Sequence, residues 1–211
     1  MLNPSQLALD FASASREAER LFLQSAGQHR PFFRIVDNAN AAAREAENDD
    51  IIVVIEPKSP IERATRQFSE LLEDVDRSTS SVLWVPSETK RFAGPVVVIA
   101  NGPHDPCISA AVAIAASAKE RLIFVPTMSS MGSLASALDW AKTAGVATTL
   151  ADAVFHQGDL LLPAHVKAGF LVTGRERAIR RRNLLQVPVL LVSSSLPSPG
   201  SETRPSHSGK G

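Results

Sequence analysis

The chain has 211 residues, enough for one large domain or two small ones with a sizeable core. Its 22 lysines and arginines balance 22 aspartates and glutamates, so no global field draws it to nucleic acid or to an anionic membrane surface. A single cysteine, Cys107, excludes an internal disulfide and suits a reducing compartment.

The opening Met1-Leu2-Asn3-Pro4-Ser5 has neither a basic n-region nor an apolar h-region, so no signal peptide is expected. No apolar run approaches the roughly 20 residues of a membrane helix. The expectation is a cytoplasmic protein.

In chain order, residues 5–28 carry an apolar stripe of Leu7, Phe11, Ala14, Ala18, Leu21 and Phe22 closed by Gly27, which predicts a helix. Residues 31–36 read as a short strand, 39–47 as an alanine-rich helix and 48–50 as a turn. Ile51 to Ile55 is an apolar strand. Ser59-Pro60 starts a helix running to about Val75, with Ile61, Ala64, Phe68, Leu71, Leu72 and Val75 on its core face. Ser81 to Val85 is the next strand, and 87–93 is a polar connector and a candidate domain boundary.

The middle of the chain is the most legible. Pro95 to Ala100 is a continuous β-branched run between Gly94 and Asn101-Gly102-Pro103, the signature of a strand buried on both faces. Asp105-Pro106 supplies an N-cap and an N1 proline for a helix with Ile108, Ala111, Val112, Ala115 and Ala118 at helical spacing. Leu122 to Val125 follows as a strand, so 94–126 is a βαβ unit and the sheet is expected to be parallel. Beyond it come a helix at 131–144 ended by Gly145, a strand at 146–150, a weakly marked helix at 152–167, a strand at 169–173, an arginine-rich helix at 175–184 and a last strand at 187–193. The Ser/Pro/Gly-rich residues 196–211 are expected to be a disordered tail.

Laid side by side, the elements from 5 to 85 match those from 131 to 193, with no counterpart in the first half for the opening βαβ unit. The expected organisation is an incomplete α/β half at 1–86 and a complete one at 94–195.

Residues 94–195 resemble the universal stress protein family. The resemblance lies in Val96-Val97-Val98-Ile99-Ala100-Asn101-Gly102-Pro103 with the alanine-rich helix after it, in Gly169 to Gly174, and in Val187 to Val192. Pro86 to Gly94 looks like the junction of tandem members. The resemblance implies a doubly wound parallel sheet in the order 3-2-1-4-5, with a crevice between the carboxyl ends of its strands 1 and 4. ATP-binding members carry Gly-x-x-Gly-x9-Gly-Ser/Thr after strand 4, where glycines let backbone N–H groups approach phosphates. Here only Gly174 survives: Arg177 stands at the second glycine, Val187-Pro188 at the last pair, and Asn101 at the family's strand-1 aspartate. Classical ATP binding is not expected, and no cofactor is implied.

Asn101, Gly102 and His104 at one strand end, with Thr173, Gly174, Arg175 and Arg177 at the other, are the candidate site. They read as an anion or nucleotide site built from helix N-termini and guanidinium groups, or as an ordinary turn beside a solvated basic helix. The basic run Arg175 to Arg182 lacks interleaved aromatics, so nucleic acid is not expected; a solvated face, or one pairing with Glu70, Glu73 or Asp74, is favoured. Cys107 sits where a helix N-terminus would favour a thiolate, but reads better as a small buried hydrophobe. His156 and His165 have no metal-ligand spacing, and Ser129, Ser130 and Ser133 form no Gly-x-Ser-x-Gly elbow. Asp37 and Glu56 end adjacent strands without a third ligand for a cation.

The function expected from these residues and this resemblance is a non-enzymatic regulatory or stress-response module acting by partner binding, with at most weak nucleotide or anion binding. The alternative is a small hydrolase or phosphoryl-transfer enzyme in the same crevice, with Arg175 as charge stabiliser and His104 as general acid/base. Strands 82–85 and 187–192 are expected to meet within the chain. The trimmed first half leaves apolar surface on 51–55, for which a second copy is the expected cover, giving a homodimer.

Overall fold

A computed structural model describes residues 13, 16, 17, 19, 20, 44–89, 93–130, 132–152, 168–178 and 186–194. The chain divides into two compact units, Met1–Ala41 and Ala42–Gly211. In the first, the described residues are helical, and Arg20 Nε donates to Glu17 Oε2 at 2.8 Å one turn away.

The second unit holds a seven-stranded sheet: β1 (Ile51–Ile55), β2 (Ser81–Val85), β3 (Val96–Ala100), β4 (Leu122–Pro126), β5 (Thr148–Leu150), β6 (Phe170–Gly174) and β7 (Val189–Val192). Their order across the sheet is β1-β2-β7-β6-β3-β4-β5. Neighbours are parallel except β2 and β7, which run antiparallel with Val82 opposite Leu191 and Trp84 opposite Val189. From β5 inward, β5-β4-β3-β6-β7 is the 3-2-1-4-5 order, and the meeting of 82–85 with the last strand occurs as expected.

The helices are α1 (Pro60–Arg63), α2 (Arg66–Arg77), α3 (Pro106–Ala118), α4 (Ala135–Thr143) and α5 (Arg175–Ala178). None of the described helices is long and apolar enough to cross a membrane.

β3 is buried along its whole length because its β-branched side chains go alternately to two cores. Val96, Val98 and Ala100 join α3 and α4 on one face. Val97 and Ile99 join Val75, Trp84 and Leu171 on the other. The predicted βαβ unit is present, with Val96 in register with Leu122.

Several boundaries move for local reasons. The helix expected from Ser59 to Val75 is two, because Thr65 starts a new one: its hydroxyl accepts from the Phe68 N–H at 3.3 Å. That break turns Ile61 out, 81% exposed, and Leu71 is 37% exposed, so neither belongs to the core face. The helix expected at 131–144 begins at Ala135, because the Ser130 hydroxyl takes the Thr127 N–H at 2.8 Å and donates to the Ala100 carbonyl at 2.7 Å, holding the chain in turns after β4. Trp140 is half exposed. The strands expected at 146–150 and 187–193 are shorter, Thr148–Leu150 and Val189–Val192. The strand at 31–36, the helix at 152–167, most of those at 5–28, 39–47 and 175–184, and the tail lie outside the described residues.

β1 stands at one edge of the sheet. Ile52 and Val54 pack with Phe68 and Leu72 of α2. On the opposite face Ile51, Val53 and Ile55 are more than half exposed.

Candidate functional site

β3 ends at Ala100, and the chain turns through residues 101–105 into α3. Asp105 is the N-cap and organises that turn. Its Oδ1 accepts the Cys107 N–H at 2.9 Å, and its Oδ2 accepts the Asn101 N–H at 2.8 Å. One carboxylate thus satisfies a donor at the helix start and another at the strand end. Pro103 and Pro106 stiffen the loop between them.

Opposite this loop, β6 ends at Gly174 and runs directly into α5, while β7 ends at Val192. Between the two walls lies a cleft of about 460 Å³. It sits where the sheet is built outward in both directions from neighbouring strands, β4 after β3 and β7 after β6, the usual place for ligands in doubly wound folds.

Of the predicted residues, Asn101, Gly102, His104 and Gly174 line the cleft. Asn101 and His104 are exposed at its rim. Thr173 is fully buried beneath it, and its Oγ1 has no hydrogen-bond partner among the described residues. Arg177 lies in α5, described through its backbone.

Arg175 does not line the cleft. Its Nη1 donates to the carbonyls of Ser78 and Ser80, the latter at 2.6 Å, and its Nη2 to the carbonyl of Val75. These oxygens sit at and just past the C-terminus of α2, where a cation meets the negative end of the dipole; the Val75 carbonyl also accepts from the Ser78 N–H and hydroxyl. Arg175 thus reaches the end of α2 through carbonyl oxygens, and the other arginine side chains of the basic run lie outside the described residues.

Among the lining residues not read from the sequence as site residues, three carry side-chain oxygens: Asp105, Glu176 and Ser194. Asp105 was legible as a cap. Glu176 was hidden inside a run of arginines. Its carboxylate folds back over Gly174, so that a Cβ added there would lie 2.7 Å from Glu176 Oε2 and 2.8 Å from its Cδ.

The remaining reactive groups have structural work. Cys107 is 1% exposed and belongs to the core beneath α3. Ser130 is fully buried and hydrogen-bonded as described above. Glu56, 8% exposed, accepts from the Ser87 N–H at 3.0 Å and pairs with Arg63 at 3.1 Å. Asp37, His156 and His165 lie outside the described residues, and among those described no three His, Cys, Asp or Glu side chains form a metal-binding group.

No protein-family model matches the sequence, and no curated protein matches it. The chain is similar in structure to a protein of Pseudomonas aeruginosa UCBPP-PA14 provisionally described as a universal stress protein, at 18% identity and a TM-score of 0.48, over 85% of this chain and 77% of that one. A functionally unknown protein of Pseudomonas aeruginosa PAO1 is similar to the same degree, at 18% identity and a TM-score of 0.48 over 85% and 77% of the two chains.

Proposed function

We propose that the protein is a non-catalytic, universal-stress-protein-like regulatory module that holds a small molecule in the cleft between β3 and β6 and acts by binding a protein partner. The observation that carries this reading is the position of the cleft. It opens at the carboxyl ends of the two strands where the winding of the sheet reverses, and its walls are a proline-stiffened, carboxylate-tied loop and a glycine turn.

The non-catalytic part is supported by how the reactive side chains are used. The Arg175 guanidinium, the charge stabiliser of the enzymatic alternative, is given to three carbonyls around the end of α2. Both Asp105 carboxylate oxygens accept backbone N–H groups, and Cys107 is closed off from solvent. General acid/base chemistry needs its partners within hydrogen-bond reach of one reacting atom, and Arg175 is turned to α2.

The test is a thermal-shift and product assay on the purified protein with ATP, cyclic nucleotides and adenylyl nucleotides. The reading expects small shifts at most and no conversion. Turnover of any of them would sink it.

A further inference from the structure

We propose that β1 is the seam of a symmetric dimer, in which the β1 strands of two copies of this chain pair antiparallel about Val53. The dimer goes beyond the binding role of the cleft and stands without it.

The bonding groups of β1 divide by parity. Along a strand, one residue turns its N–H and C=O to one neighbour and the next residue turns them to the other side. The Glu56 N–H donates to the Val85 carbonyl at 2.9 Å, so Ile52, Val54 and Glu56 face β2. Ile51, Val53 and Ile55 turn theirs to the open side, where no described strand stands. The same three side chains form the exposed apolar stripe of β1, with Ile55 69% exposed.

The two edges of the sheet are not alike. β5 is three residues long, and two of them are Thr148 and Thr149, so it offers little to pair with. β1 is Ile51-Ile52-Val53-Val54-Ile55, with neither a charge nor a proline to blunt it. An apolar edge of that kind is a template for another strand.

The strand that fits is β1 itself. With Val53 opposite Val53 of the second copy, Ile51 stands opposite Ile55, and every outward-turned residue meets another. Each of those pairs exchanges two N–H···O bonds. The exposed stripe then lies beside its own copy, Cβ to Cβ at about 5 Å. The flanking charges choose the direction. Asp49 and Asp50 lead into β1 and Lys58 follows it, all exposed. Glu56 at that exit is taken by Arg63 at 3.1 Å. Antiparallel pairing brings the acidic entry of one strand to Lys58 of the other, whereas parallel pairing would set acid beside acid. The two-fold pair also closes on itself, while β1 set on the β5 of a next copy would propagate into a filament. One antiparallel junction of apolar strands already exists inside the chain, where Val82 of β2 faces Leu191 of β7.

Sedimentation velocity and cysteine cross-linking on the full chain test the seam. An interface this small dissociates in the micromolar range, so the concentration series runs over roughly 1–500 µM. The parent is expected to rise from 22.6 kDa to twice that mass across the series. Val53 is exposed, so Val53→Lys keeps the fold; it sets two lysines opposite each other and is expected to stay at the monomer mass. Val53→Cys is expected to give a disulfide-linked dimer on mild oxidation, because opposed residues of such a pair lie about 5.5 Å apart at Cα. Ile51→Cys is expected to give none, since two copies of residue 51 lie about 13 Å apart in this register. The native Cys107, 1% exposed, takes no part. A parent that stays monomeric through the series overturns the proposal and assigns the β1 edge to another occupant. A folded Val53→Lys that still dimerises, or Ile51→Cys cross-linking as readily as Val53→Cys, overturns it too.

Discussion

Arg175 Nη1 lies 2.6 Å from the carbonyl oxygen of Ser80, a residue 95 positions earlier in the chain. The same guanidinium reaches the carbonyls of Val75 and Ser78, so one side chain from the turn after β6 closes the end of α2. Its backbone neighbour Gly174 lines the cleft. The residue expected to bind a ligand instead ties the two halves of the sequence together.

Replacing Arg175 by alanine is therefore expected to act on stability. Three part-buried carbonyls lose a charged donor, and the expected cost is about 2 kcal/mol in urea denaturation. Arg175→Lys is expected to recover less than half of it, because one ammonium cannot span three oxygens as a planar fork does. A variant as stable as the parent would show that the contacts at α2 carry no energy.

Two glycines give opposite expectations. A Cβ at Gly169 would stand 2.8 Å from the Gly94 carbonyl oxygen and 2.9 Å from the Ala93 carbonyl carbon, both main chain that cannot swing away. Gly169→Ala is expected to cost about 2 kcal/mol or more, as overpacking against fixed atoms does. At Gly102 an added Cβ meets nothing within 4 Å, so Gly102→Ala is expected to change stability by less than about 0.5 kcal/mol. Paired thermal melts check both, and equal effects would contradict the geometry.

Asp105 caps α3 and ties the end of β3 with one carboxylate. Asp105→Ala is expected to cost about 1–2 kcal/mol and to speed hydrogen exchange at the Asn101 and Cys107 amides together. An asparagine keeps one acceptor oxygen, so Asp105→Asn is expected to protect one of the two amides and expose the other. Unchanged exchange at both amides in Asp105→Ala would remove the carboxylate from the account of the cleft wall.

Much of the fold was legible because its signals are local. The β-branched run Val96–Ala100, the Asp105-Pro106 start and the Pro126 stop each act within a few residues, and they placed the βαβ unit correctly. The 3-2-1-4-5 order and the pairing of β2 with β7 followed from the pattern of elements and the resemblance it carries. That Asn101, Gly102, His104 and Gly174 line one cleft was legible because strand ends and glycine turns mark where a doubly wound sheet opens.

What stayed hidden depends on contacts across long stretches of chain. Spacing puts Arg175 at the start of a helix but does not say that the carbonyls of Val75, Ser78 and Ser80 stand beside it. Glu176 was absorbed into a block of arginines read as one charge, and nothing local in the sequence says that its carboxylate folds back over Gly174. Ile61 was placed on a core face because the break at Ala64 and Thr65 rests on a hydroxyl cap that periodicity does not register.

The central claim, that the cleft holds a small molecule, is tested most directly by native mass spectrometry of the purified chain beside Gly102→Phe. Gly102 lines the cleft and a Cβ added there meets nothing within 4 Å, so a phenyl ring at this position is expected to take up cleft space at little cost to the fold. The account predicts a small molecule on the parent protein that is missing from a variant with an unchanged melting temperature. The same molecule at the same occupancy on Gly102→Phe would contradict it.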